Sequence, residues 1–137
     1  PLVVLQLGDA PAAHQHVTFS PGQSRKIYIV GACQGWNVTS DKMALKETVD
    51  GSDVYEGTFT INAGEFQFRF YKTLGDWDVG SIGSQEADSP VEITVPAAGL
   101  VVDCVDGKGS WTDPSWAGGD LTISVDLKGM QVTFTRP

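Results

Sequence analysis

Cysteine is scarce. Two residues in 137, Cys33 and Cys104, are too few for a disulfide scaffold or a zinc site built on thiolates. Both sit in or beside apolar runs. They read as free thiols packed like small hydrophobes, with a disulfide as the alternative. Basic residues are scarce too. Nine Lys and Arg stand against 17 Asp and Glu, for a net charge of −8. Such a surface repels phosphate backbones and anionic lipid, so nucleic acid and a membrane surface are poor partners. No apolar run approaches the length of a membrane span, and no window sustains a helical period. G-x-S-x-G, the P-loop and H-E-x-x-H are all missing. His14 and His16 lie two apart with no third ligand in view and read as a solvated pair; no cofactor or metal site is assigned, and calcium at an acidic loop such as Asp76-Trp77-Asp78 stays an open alternative. The chain starts at Pro1 without a charged-then-apolar leader. It reads as a mature protein or an excised piece, any export signal or lipid anchor lying outside this sequence.

Glycine, valine, threonine and aromatics are present in quantity, and their arrangement predicts strands. The length suits one domain with a real core. Residues 1–24 hold two short apolar stretches, Leu2–Leu7 and His16–Phe19. They are N-terminal strands or the tail of a preceding module. Residues 25–137 form the main domain. Lys26–Gly31 is a β-branched and aromatic strand, and Met43 and Leu45 mark a short extended piece. Val54–Ile61 alternates, with Tyr55, Phe59 and Ile61 on one face. Asn62-Ala63-Gly64 predicts a hairpin into the next strand. There Phe66, Phe68 and Phe70 point one way, and Glu65, Gln67, Arg69 and Tyr71 the other. Val91–Val95 and Leu100–Val105 are two further strands, and Leu121–Leu127 with Val132–Phe134 closes the chain as a hairpin. About eight short strands separated by turn signals predict an all-β domain, an antiparallel β-sandwich or a similar barrel.

Four tryptophans, Trp36, Trp77, Trp111 and Trp116, fall beside Gly, Asp, Asn or Pro, in loops. Loop aromatics on a rigid sandwich can form a flat apolar platform. A sugar ring matches such a platform. Its C–H face packs on indole, and its hydroxyl rim needs donors and acceptors. The strand with three phenylalanines turns through Leu74-Gly75-Asp76 and delivers Trp77, which places Arg69 and Lys72 near an indole. Trp36, Asn37, Arg69, Lys72, Trp77, Lys108 and Trp111 are therefore the candidate ligand-binding residues. Trp111 and Trp116 equally fit a role in closing the sandwich ends. Asn37-Val38-Thr39 also fits a glycosylation sequon, here taken as chance. Glu56, Glu65, Asp76, Asp78, Glu86 and Asp88 supply carboxylates. Acids on a β surface usually keep it soluble, so catalysis is not expected.

Two patterns carry a family resemblance. Ile27-Tyr28-Ile29-Val30-Gly31 runs into Gly35-Trp36-Asn37, and Gly64-Glu65-Phe66-Gln67-Phe68-Arg69 runs into Gly75-Asp76-Trp77. Together with Gly109-Ser110-Trp111 and the closing hairpin, this resembles the starch-binding domains of the SusE/SusF type, outer-membrane lipoproteins of gut Bacteroidetes. The arrangement is also similar to the glycogen-binding module of the AMP-activated kinase β subunit. That module's α-glucan contacts fall on Trp36, Arg69 and Trp77, with Arg in place of its usual Lys. The resemblance spans roughly residues 25–137. It implies an immunoglobulin-like sandwich of carbohydrate-binding-module type without catalysis. It also implies an α-glucan ligand, an exported protein at the outer-membrane surface or in the periplasm, and other glycan-uptake proteins as possible partners. A structural spacer or protein-binding adhesion domain is the alternative reading.

Overall fold

The computed structural model describes residues 25–137. The stretches expected as strands within residues 1–24, with His14 and His16, lie outside the described residues. Eleven strands follow: β1 Lys26–Gly31, β2 Ala44–Glu47, β3 Val54–Ile61, β4 Gln67–Tyr71, β5 Ser81–Gly83, β6 Pro90–Glu92, β7 Leu100–Asp103, β8 Val105–Asp106, β9 Ser110–Thr112, β10 Gly119–Asp126 and β11 Gln131–Thr135. A single 3-10 turn, Ala32–Gln34, follows β1. The all-β expectation holds.

One path of hydrogen bonds runs β6-β9-β4-β1-β2-β3-β10-β11-β7, with β5 and β8 attached beside β4. The sheet curls until its two halves face each other. The Phe134 ring of β11 comes within 6.0 Å of both Phe68 on β4 and Trp111 on β9. Short β2 forms the corner, pairing with β1 on one side and β3 on the other. All pairings are antiparallel except β6 with β9, which is parallel.

The alternation in the sequence sets which side chains fill the space between the halves. Phe66, Phe68 and Phe70 from one half meet Leu121, Ile123, Val125, Val132 and Phe134 from the other, all buried. Each such side chain is worth about 1.5–3 kcal/mol on burial. Tyr55 and Ile61 join them, and Phe59 packs at the edge.

Three local expectations are corrected. The turn at residues 62–64 forms, with Glu65 N–H donating to Asn62 O at 3.0 Å. It does not close a hairpin. β3 pairs with β2 and β10, whereas β4 pairs with β1, β5 and β9, so the connection crosses between the halves. The 113–116 segment occupies the gap. Trp116 Nε1–H donates to Ile61 O at 2.8 Å, and Asp113 N–H to Phe66 O at 3.1 Å. Val91–Val95 is a strand only through Glu92; beyond it, Val95 N–H turns to the buried Asp113 carboxylate at 3.1 Å. Leu100–Val105 breaks at Cys104 into β7, paired with β11, and β8, paired with β5.

Cys33 and Cys104 are both free. Burial pushes each thiol up to about 11. Among the described residues no helix is long and apolar enough to cross a membrane.

Candidate functional site

The outer face of β1 and β4 carries a second, small apolar cluster. Val30, Val38 and Tyr71 are buried there, with Trp36 and Leu74 packed against them. Strand alternation turns Tyr71 away from the main core, as the sequence predicts. Yet its ring is wholly buried, because two loops fold over it. One loop follows β1 and carries Trp36; the other follows β4 and carries Trp77. Gly75 N–H donates to Val38 O at 3.0 Å and joins the two.

Local chemistry shapes the first loop. A Cβ on Gly31 would lie 2.2 Å from Gln67 O and 2.4 Å from Phe68 Cβ, so only glycine fits at this point of the β1–β4 pairing. Gln34 then clamps the chain. Its Oε1 accepts from Gly31 N–H and Asn37 N–H, and its Nε2 donates to Asn37 O. Gly35 and Trp36 both take left-handed backbone, with φ of 76° and 54°. That conformation costs a tryptophan of order 1 kcal/mol or more, and such strain clusters at functional sites. It leaves the indole half-buried on the Val30–Val38–Tyr71 cluster. Asn37 is exposed. Its Oδ1 accepts from Thr39 N–H and Thr39 Oγ1–H.

Tyr71 organises the second loop. Its hydroxyl donates to Trp77 O at 2.9 Å and accepts from Arg69 Nε–H at 3.1 Å. The Trp77 indole stands edge-on to the Tyr71 ring at 6.0 Å and is 38% exposed. The Arg69 guanidinium carbon lies 5.3 Å from the Trp77 ring centre and 5.6 Å from that of Tyr71. Stacking of this kind contributes about 0.5–2 kcal/mol and fixes the plane of the cation. Arg69 also donates from Nη1 to Lys108 O. Two of its five N–H groups are then engaged, and three remain for a ligand.

Lys108 closes the far side. Its Nζ meets Asp78 Oδ1 at 2.7 Å. Hydrogen bonding to Lys108 holds the Asp78 carboxyl below its usual range, and Asp78 in turn raises the Lys108 ammonium. Lys72 lies near Asp106, with Nζ 3.8 Å from Oδ1. These two pairs join the 72–81 segment to the 106–108 segment.

Of the residues expected from sequence, Arg69 and Trp77 meet directly, and Trp36 borders the same cluster through its packing. Lys108 reaches the guanidinium through its carbonyl, and Lys72 turns to Asp106. Trp111 is corrected. It is 1% exposed, paired in β9 opposite Phe68, and packed on Phe70 at 5.6 Å and Phe134 at 6.0 Å. What looks like a loop, Gly109-Ser110-Trp111, is the start of a core strand, so this indole offers no face to a ligand. Trp116 is likewise buried, with Arg136 stacked 4.9 Å from its ring. Sequence reasoning missed the linking role of Tyr71 and the pairing of Asp78. The only signal was a tyrosine at an outward position just before a turn. Among the described residues no group of three or more His, Cys, Asp or Glu is placed to hold a metal.

No protein-family model matches the chain. No curated protein matches it. Among solved structures it is similar to one described as the ligand-induced structure of AmyP-SBD, with 17% identity and a TM-score of 0.41, over 89% of this chain and 80% of that one.

Proposed function

We propose that this domain binds carbohydrate without catalysis, an α-glucan such as starch being the favoured ligand, within a cell-surface glycan-capture protein. One observation carries the reading: an exposed indole, Trp77, with a guanidinium fixed against it that keeps three N–H donors free. The indole supplies the apolar plane for a sugar C–H face, and Arg69 supplies donors for its hydroxyls. Trp36, on the adjoining loop, extends the apolar surface. A site made of one indole face and one fixed cation suits dissociation constants of roughly micromolar to millimolar. A glycosidase acid needs a raised pKa. Asp78 is pulled the opposite way by Lys108. The α-glucan and the cell-surface setting come from the family resemblance of residues 25–137.

The test is affinity electrophoresis in native gels containing amylopectin. Wild type is retarded, and Trp77→Ala runs as in a gel without glucan while keeping its circular dichroism. Equal retardation of the two proteins rejects the site.

A further inference from the structure

Next to Trp77 lies an open groove of about 540 Å³, walled by Lys72 and Asp78 from one segment, Asp88 from a second, and Asp106 and Lys108 from a third. Its size falls within the range of small-molecule sites, about 300–1,000 Å³. It borders the Trp77 site through two of its residues. Asp78 is the next residue after Trp77. Lys108, whose side chain lines the groove, holds Arg69 through its carbonyl.

The two ion pairs in the groove differ. Lys108 and Asp78 are in hydrogen-bond contact at 2.7 Å and form a closed strut. Lys72 and Asp106, at 3.8 Å, are too far apart for a hydrogen bond. Both keep open capacity. A hydroxyl placed between them can donate to the carboxylate and accept from the ammonium, gaining two charge-assisted bonds. The groove's charge is also nearly balanced, with three carboxylates against two ammoniums. It holds no surplus cation to pair with a uronate or sulfate.

We propose that this groove is a second subsite that receives the sugar units next to the one on Trp77, and that it selects a neutral, hydroxyl-rich chain over an anionic one. The inference rests on the carbohydrate reading of Trp77 and adds the direction of the chain and a structural basis for its neutral charge.

Calorimetric titration of the protein with α-1,4-linked gluco-oligosaccharides, from disaccharide to heptasaccharide, tests it. Wild-type affinity rises with length as the groove fills. Asp106→Ala lowers heptasaccharide affinity about tenfold, the scale of one lost charge-assisted hydrogen bond, and disaccharide affinity far less. Asp106→Asn, which keeps an acceptor, restores part of it. Oligogalacturonides of matched length bind more weakly than the neutral series. Loss of binding in Trp77→Ala with unaltered length dependence in Asp106→Ala overturns the groove alone. Equal or tighter binding of oligogalacturonides overturns the charge class. A wild-type protein that binds no member of the series overturns the Trp77 reading and the groove together.

Discussion

The four tryptophans divide between two regions built on opposite faces of the same sheet. Trp111 and Trp116 lie with Phe66, Phe68, Phe70 and Phe134 between the halves of the sandwich, and each is at most 4% exposed. Trp36 and Trp77 border the small outer cluster around Tyr71, where loops rather than a second sheet half supply the cover. The inner region excludes water on all sides and spends its aromatics on stability. The outer region seals one phenol and leaves an indole at the rim. A loop cover can therefore present an aromatic face while the strand beneath stays dry. Tyr71 is the hinge of that arrangement, since a single hydroxyl anchors both Trp77 and Arg69.

The contrast breaks first where truncation should hurt most. Trp111→Ala is expected to cost about 3–5 kcal/mol in urea unfolding, as for large core aromatics. Trp77→Ala should cost about 0.5–2 kcal/mol, the scale of the stacking contact it makes with Arg69. Similar losses for the two would mean that the outer region is core in disguise. Next is Gly31→Ala, whose new methyl meets backbone at 2.2 Å. Overpacking of this kind costs about 1–3 kcal/mol. It should also disturb Trp36, because Trp36 N–H donates to Gly31 O at 2.8 Å. A shifted tryptophan emission spectrum in Gly31→Ala reports that coupling, and an unchanged one denies it.

Tyr71→Phe sharpens the comparison at lower cost. The ring and its packing stay, while the bonds to Trp77 O and Arg69 Nε disappear. Stability should fall by about 1–2 kcal/mol, since two hydrogen bonds of roughly 1 kcal/mol net each are lost. Glucan affinity should fall with it if the hydroxyl sets the pose of Trp77. Unaltered affinity would show that stacking alone holds the indole.

The smallest effect is a flat response to pH. Asp78 has a lowered carboxyl, so its contribution is present above the ordinary carboxylate range and disappears as pH falls through the depressed value. Lys108 has a raised ammonium, so its contribution is complete below the ordinary lysine range and disappears as pH rises through the elevated value. Glucan binding should therefore be level between about pH 5 and pH 9, inside both ordinary titration ranges. A midpoint within that window would implicate a different group.

Some of this was open to reading in one dimension. The Phe66–Phe68–Phe70 alternation, the Leu121–Val125 run and the closing hairpin follow from a period of two, which is a property of the chain alone. The Arg69–Trp77 contact was legible for the same reason, as strand and turn lie close in sequence. Trp111 was not. Its neighbours Gly109 and Ser110 look like loop, and only pairing with Phe68 on β4 makes it a strand. The crossing at residues 62–64 was hidden likewise, because hydrogen bonds from residues 113 and 116, far along the chain, separate the two strands.

What the sequence by itself determined is which side chains face inward and that the chain forms strands, because alternation is local and needs no partner. The tertiary structure decided which strands pair, which tryptophans are buried, and that Tyr71 ties Trp77 to Arg69. Those outcomes depend on contacts between distant segments, where loop closure and close packing, rather than local preference, select the neighbour.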